Sequence, residues 1–187
     1  MIPVSAEKEK ALIDALRTGK PAAKRSFYEQ FHRYLAAVCA RYVSDDDQVK
    51  DLLQDTFVKI YTRFDSFQYR GTGSLKAWSR RIAVNEALQY LRSAKRKQTS
   101  SLEEVGDLPE PDATPDIADI PEQALLAMVR RLPERYRTVF NLYVFEEMSH
   151  KEIAEQLQIE AGSSASNLHR AKALLTRWIR EYRNHER

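Results

Sequence analysis

The chain has 187 residues, 43% hydrophobic and 30% charged, which suits one soluble domain or two small ones. Its net charge of +3 is too mild to decide for or against nucleic-acid binding, so the distribution of charge matters more. No apolar run approaches the length of a membrane span, and the first ten residues lack the apolar segment of a signal peptide. We therefore expect a cytoplasmic protein with no direct membrane insertion.

Four amphipathic helices are predicted in the first half of the chain. Apolar residues recur at helical spacing over 6–17, about 22–43, 48–63 and 75–92. The lone cysteine, Cys39, falls on the apolar face of the second helix, where a buried structural thiol is expected. Gly71 and Gly73 mark a loop over 65–74. Because no segment alternates with a period of two, the predicted fold class is all-α.

An acidic, proline-containing segment follows. Between Lys97 and Arg130 there is no lysine or arginine, but there are eight acidic residues and four prolines without an apolar period. This composition is typical of an extended linker. The sequence thus predicts a helical domain over 1–96, a linker over 97–121 and a second helical domain over 122–187.

The second domain is predicted to contain a helix-turn-helix. Helices over 122–131 and 134–145 lead into 148–178, where Ser149 and Glu152 fit a capping box. Ser163 is the expected N-cap of the last helix. We assign Ala165, Leu168, Ala171, Leu175, Trp178 and Ile179 to the core face of that helix, and Ser164, Ser166, Asn167, His169, Arg170 and Lys172 to its polar face. A polar, basic second helix suits a DNA major groove.

Catalytic and metal sites are not expected. The four histidines are dispersed, and there is no phosphate-cradling glycine loop or nucleophile elbow. Asp51 and Asp55 lie one helical turn apart after an acidic helix start, but an Mg²⁺ site would need a second acidic helix facing them. A helical metal enzyme is thus the weakest alternative, and we expect no cofactor.

The polar face of the third helix carries Asp51, Gln54, Asp55 and Lys59. By default such a face is simply solvated. Alternatively, it docks a basic surface of a partner protein and orients it.

The segment 64–97 interleaves aromatic and basic side chains. Its members are Phe64, Phe67, Tyr69, Trp78 and Tyr90 together with Arg70, Lys76, Arg80, Arg81, Arg92, Lys95, Arg96 and Lys97. Cations neutralise phosphates and aromatic rings stack on unpaired bases, so this mixture favours single-stranded nucleic acid. For Trp78 and Tyr90 a place in the core is equally consistent, whereas Tyr69 is expected to be exposed.

The last helix offers chemistry for duplex DNA. Asn167 can pair with adenine, and Arg170 or Lys172 can reach guanine or a phosphate. Ser163 and Ser164, near the helix N-terminus, suit phosphate contacts.

Three segments in this order resemble the extracytoplasmic-function (ECF) sigma factors of the sigma-70 class. DLLQDTFVKIYTRFDSF at 51–67 is similar to the family's polymerase-binding helix, YRGTGSLKAWSRRIAVNEALQYLR at 69–92 to its minus-10 segment, and LPERYRTVFNLYVFEEMSHKEIAEQL at 132–157 to its C-terminal domain. The resemblance implies a non-enzymatic initiation factor whose partners are core RNA polymerase, promoter DNA and an anti-sigma factor. It also implies that the linker threads the active-site cleft of the polymerase, where its acidic charge imitates RNA.

The resemblance further implies roles for individual residues. Core polymerase would be contacted by Asp51, Leu52, Gln54, Asp55 and Lys59. The minus-10 strand would be held by Tyr69, Arg70, Gly71, Thr72, Ser74, Lys76, Trp78, Arg80, Arg81 and Asn85, with 69–74 forming a loop that captures a flipped base. The minus-35 element would be read by Ser163, Ser164, Ser166, Asn167, His169, Arg170 and Lys172.

The chain departs from the family pattern in two places. Gln158 stands in the turn where many members have glycine, and Ala165 and Asn167 are neutral where many carry a basic residue. The usual minus-35 preference is therefore not assumed. A stand-alone helix-turn-helix regulator is the main alternative, since it explains 122–187, but it leaves the motifs over 48–92 without a role.

Overall fold

The structure is a computed structural model that describes residues 6–97 and 116–185. Within these ranges the chain forms eight α-helices and no strand, which confirms the all-α prediction. The chain divides into two compact units, residues 1–99 and 100–187. No helix of the described ranges is long and apolar enough to cross a membrane.

The N-terminal unit is built from the first four helices. They are α1 (Ala6–Arg17), α2 (Pro21–Tyr42), α3 (Asp46–Thr62) and α4 (Ser74–Lys97), with a short 3-10 turn at Phe64–Ser66. Helices α2, α3 and α4 all pack against one another, while α1 packs on α2 and on the 3-10 turn. Fully buried Phe27, Leu35 and Ile60 lie in the core of the unit.

Local sequence signals set the helix boundaries. Pro21 begins α2, where its missing N–H has no cost, and the Asp45 carboxylate caps α3 by accepting from the backbone N–H of Gln48 at 2.9 Å. Helix α4 continues to Lys97, five residues beyond the predicted end at Arg92. Cys39 is buried as predicted, and burial raises the pKa of its thiol to about 11, so it is inert.

The C-terminal unit contains α5 (Glu122–Arg131), α6 (Glu134–Val144), α7 (His150–Leu157) and α8 (Ala161–His185). Helix α8 packs against the other three. Ile120, which the sequence assigned to the linker, is only 7% exposed and joins the core of this unit. The end of the predicted linker therefore belongs to the C-terminal unit, and linker residues 98–115 lie outside the described residues.

A buried arginine fixes the corner between α5 and α6. The Arg137 side chain is 6% exposed, and its Nη1 donates to the carbonyl oxygens of Arg130 at 2.7 Å and Leu132 at 3.3 Å. These carbonyls lie at the end of α5, where the helix leaves them without helical donors. Burial lowers the pKa of Arg137.

The helix-turn-helix has the predicted capping box and an unexpected turn. The Ser149 side chain accepts from the Glu152 backbone N–H. The Glu152 carboxylate accepts from the Ser149 hydroxyl at 2.7 Å and from its backbone N–H at 2.8 Å, and these bonds lower the pKa of Glu152. Gln158 ends α7 in the left-handed region (φ 56°, ψ 48°). The prediction that Ser163 caps α8 is wrong, because α8 begins at Ala161.

We expect Gln158→Gly to stabilise the C-terminal unit by about 0.5–1 kcal/mol, because glycine adopts φ > 0 without the steric cost that a β-carbon brings. Gln156→Gly, two residues earlier inside α7, is the matched control and is expected to destabilise by about 1 kcal/mol. Thermal unfolding followed by circular dichroism measures both. A fall in melting temperature for Gln158→Gly would contradict the prediction.

Candidate protein-docking and nucleic-acid interfaces

An exposed stripe runs along α3 at helical spacing, and we call it the docking stripe. Its members are Asp51, Gln54, Asp55, Val58 and Thr62, all of them exposed. The stripe places two carboxylates one turn apart on a surface facing away from the α2–α3–α4 core, so it is open to a basic partner surface.

Two residues that the family resemblance implied as polymerase contacts do not lie on the docking stripe. Leu52 is 2% exposed and packs in the core, since it faces the other side of α3 from Asp51. Lys59 is half-buried, and its Nζ lies 3.5 Å from Glu86 Oε1 on α4. In the free protein Leu52 contributes to packing and Lys59 links α3 to α4, and the polymerase contact implied for Lys59 stays a prediction.

Val58 was missed by the sequence interpretation, although its spacing from Asp51 and Asp55 reveals it. Val58 is 55% exposed, so an aliphatic side chain stands in line with the two carboxylates. On the neighbouring α2, Tyr28 is 46% exposed, and its ring centroid lies 4.8 Å from that of Phe57. Val58 thus adds an apolar side chain to the docking stripe, and the exposed Tyr28 ring lies against Phe57 of the same helix.

The loop before α4 has a defined conformation. Gly71 and Gly73 adopt φ values of 117° and 87°, which L side chains rarely tolerate. The backbone N–H of Arg70 donates to Ser74 Oγ at 3.3 Å, and the N–H of Ser74 donates to the Gly71 carbonyl at 3.1 Å. The exposed Thr72 lies between the two glycines, so the loop presents Arg70 and Thr72 to the outside.

Helix α4 presents a polar stripe with one aromatic residue at its start. Its exposed members Arg81, Asn85, Gln89 and Arg92 follow the half-buried Trp78 at helical spacing. The Trp78 ring packs on those of Phe64 and Phe67, with centroids 5.9 and 5.2 Å apart, so one part of the ring joins the core. Gln89 lies in line with predicted Arg81 and Asn85, and helical spacing alone would have identified it.

The remaining predicted minus-10 residues are partly covered. Tyr69 is half-buried, contrary to the exposure expected for it, and Lys10 Nζ of α1 lies 5.4 Å from its ring centroid. Lys76 Nζ lies 4.5 Å from the ring of Tyr34, and Arg80 is half-buried. Lys76, Trp78 and Arg80 thus lie in the first two turns of α4, directly after the loop over 69–74.

On the first part of α8, the exposed face differs from the prediction at two residues, Ser164 and Ala165. The exposed members over 162–172 are Gly162, Ser163, Ala165, Ser166 and Lys172, while Asn167, His169 and Arg170 are half-buried beside them. Ala165, assigned to the core by the sequence, is exposed. A methyl group at this place suits contact with the methyl of thymine.

Ser164, assigned to the DNA-contacting face, is buried, and that prediction is wrong. Its side chain is 0% exposed, and its Oγ lies 3.0 Å from His150 Nδ1 at the start of α7. His150 also stacks on Tyr143 of α6, with centroids 4.9 Å apart. Ser164 therefore joins the two helices of the motif and sets how α8 is presented.

Each of the two helical units is similar to a region of a known protein family. Residues 27–97 match the sigma-70 family in its region 2, and residues 122–175 match its region 4. The ECF RNA polymerase sigma-E factor of Haemophilus influenzae is 28% identical over 178 residues, covering 89% of this chain and 93% of that protein. The RNA polymerase sigma-H factor of Pseudomonas aeruginosa is 27% identical over 177 residues, covering 89% and 91%.

A solved structure has the same fold. It is the sigma factor RpoE in complex with the anti-sigma factor NepR from Bartonella quintana, with a TM-score of 0.50 and 24% identity, covering 83% of this chain and 96% of that one. Both matched regions are regions of the sigma-70 class. The chain belongs to the ECF sigma factors of that class and has the function of an RNA polymerase sigma factor. A stand-alone regulator is not favoured, because it leaves the region 2 match unexplained.

Proposed function

We propose that this cytoplasmic, non-enzymatic factor docks on core RNA polymerase through the docking stripe and directs it to promoters through α4 and α8. One observation carries the proposal: the carboxylates of α3 and the basic and aromatic residues of α4 lie on adjacent helices of one compact unit. Such a unit is suited to hold a protein and a nucleic acid at the same time. Asp51, Gln54 and Asp55 supply charge and hydrogen bonds, and Val58 adds an apolar contact.

The minus-10 strand is assigned to the exposed stripe of α4 and to the loop before it. Trp78 offers a partly exposed ring for stacking, Arg81 and Arg92 neutralise phosphates, and Asn85 offers hydrogen bonds to bases. The loop over 69–74 would hold a flipped base, since its glycines permit the positive φ values that its turn requires. Stacking of this kind contributes about 1–3 kcal/mol per base, which helps to offset the cost of opening the duplex.

The minus-35 element is assigned to α8. Ser163 and Ser166 suit phosphate or base contacts, while Asn167, His169, Arg170 and Lys172 provide donors along the same helix. Because only Arg170 and Lys172 are basic in this set, duplex binding by the C-terminal unit alone is expected to be weak. An anti-sigma factor is proposed as a further partner, as in the complex from Bartonella quintana.

In vitro transcription tests the proposal. Purified protein is added to core polymerase on genomic DNA fragments, and the transcripts are sequenced. We expect new start sites that depend on both components. Specific binding of the protein to duplex DNA without polymerase, combined with no core-dependent transcript, would instead support the stand-alone regulator.

A further inference from the structure

A carboxylate of α1 closes the N-terminal end of α4. Glu9 is 4% exposed, although charged side chains are seldom buried without partners. Its Oε2 accepts from the backbone N–H of Gly73 at 2.6 Å, and its Oε1 accepts from that of Leu75 at 2.9 Å. Both donors come from a segment more than 60 positions later in the chain. The side chain thus joins α1 directly to the loop and to the start of α4.

The start of α4 needs such a partner. The first N–H groups of a helix have no acceptor within the helix, and the aligned peptide dipoles favour a negative charge there. The first turn of α4 contains no acidic residue of its own. Glu9 therefore supplies from another helix what an acidic N-cap usually supplies locally.

A second contact ties α1 to the same loop. Lys10, the next residue of α1, places Nζ 5.4 Å from the ring centroid of Tyr69, within the range of a cation–π contact. Glu9 holds the C-terminal end of the loop, and Lys10 lies over its first residue. Consecutive residues of α1 thus contact both ends of the loop over 69–74.

We propose that Glu9 is a positioning residue that holds the loop over 69–74 in the shape that captures the flipped minus-10 base. This rests on the base-capture role proposed above for that loop. Glycines at 71 and 73 leave the loop many conformations, and an unbound loop must lose that freedom when a base enters. The two hydrogen bonds to Glu9 select one conformation before DNA arrives, so α1 affects promoter opening without touching the base.

The test uses the full chain assembled with core polymerase and a fork-junction promoter probe. For each position of the single-stranded minus-10 element, affinity is compared between a probe with the natural base and one with an abasic site. At one position we expect wild type to bind the natural-base probe much more tightly than the abasic probe, which gives a large affinity ratio. In Glu9→Gln, which keeps the side-chain shape but replaces one acceptor oxygen with an NH₂ group, we expect that ratio to fall about tenfold, as for the loss of a charge-assisted hydrogen bond. Glu9→Ala should lower it at least as much.

Glu7→Gln is the matched control, because Glu7 lies exposed on the same helix. Affinity for core polymerase and circular dichroism at the assay temperature show whether each variant is folded. Unchanged discrimination in a folded Glu9→Gln and Glu9→Ala would overturn the positioning role. If wild type itself shows no position-specific ratio, the base-capture function of the loop fails, and this outcome is distinct from the first. If Glu9→Ala unfolds, Glu9→Gln alone decides.

Discussion

Reversing both carboxylates of the docking stripe, Asp51→Lys with Asp55→Lys, is expected to lower core-dependent transcription roughly a hundredfold or more. Each reversal removes an attraction to the basic surface of the partner and adds a repulsion, and effects of several kcal/mol are typical of charge pairs at interfaces. Both side chains are exposed, so the helix itself should persist. Affinity for core polymerase, measured by competition with a labelled sigma factor, and promoter transcription are the two readouts.

The control carries the same change in charge on other helices. Asp14→Lys with Glu29→Lys alters side chains that are 74% and 62% exposed and that form only surface pairs with Arg17 and Arg25. We expect this variant to bind core polymerase within about threefold of wild type, because exposed ion pairs contribute little. If both double variants lose affinity for core polymerase equally, the effect is due to net charge, and the docking stripe is not a specific binding surface.

Strong periodic patterns made most of the fold predictable. The bounds of α1 and α5 match the prediction, since each begins or ends at a clear change of pattern. The capping box at Ser149 and Glu152 was predictable for the same reason, because its two bonds are local in sequence. Helix α4 was predicted too short because Ser93 and Ala94 continue it without an apolar signal.

Predictions of which side of a helix is exposed failed where the apolar and polar residues did not alternate clearly. The start of α8 has alanine and serine at adjacent positions, and neither type indicates burial strongly, so Ser164 and Ala165 were exchanged. Burial of Ser164 depends on its bond to His150, a partner 14 residues away that the sequence cannot pair with it. On α3 the apolar spacing places Leu52 in the core, where it lies, and only the family resemblance implied that it contacts core polymerase.

The position of Glu9 on an apolar helix face was visible in the sequence, but its hydrogen-bond donors were not. Glu9 shares one helical face with buried Leu12, Ile13 and Leu16, so a carboxylate on an apolar stripe was visible in the sequence. Such a residue needs buried donors. That the donors are Gly73 and Leu75 follows only from tertiary packing, because nothing local links α1 to the loop.

Removing the guanidinium of Arg137 is expected to cause a large loss of stability in the C-terminal unit. Arg137→Met keeps the aliphatic stem but leaves the carbonyls of Arg130 and Leu132 without this donor in a buried corner. Losing bonds to a charged donor and leaving acceptors unsatisfied costs about 2–3 kcal/mol. A unit of this size rarely has more than about 3–5 kcal/mol of stability. Amide hydrogen exchange of the full chain should show lower protection in α5 and α6, and unchanged protection in α2 and α3.

Arg137→Met is expected to affect promoter recognition but not polymerase binding, because α5–α8 and α3 belong to different units. With α5 and α6 loosened, α8 loses the surface on which it packs, so dependence of transcription on the minus-35 element should weaken while affinity for core polymerase through α3 is kept. Arg177→Met is the matched control, because Arg177 is 54% exposed and pairs with Glu181 at the surface of α8. It should change stability by less than about 0.5 kcal/mol. Equal exchange rates in α5 and α6 for Arg137→Met and wild type would show that the corner does not depend on this arginine.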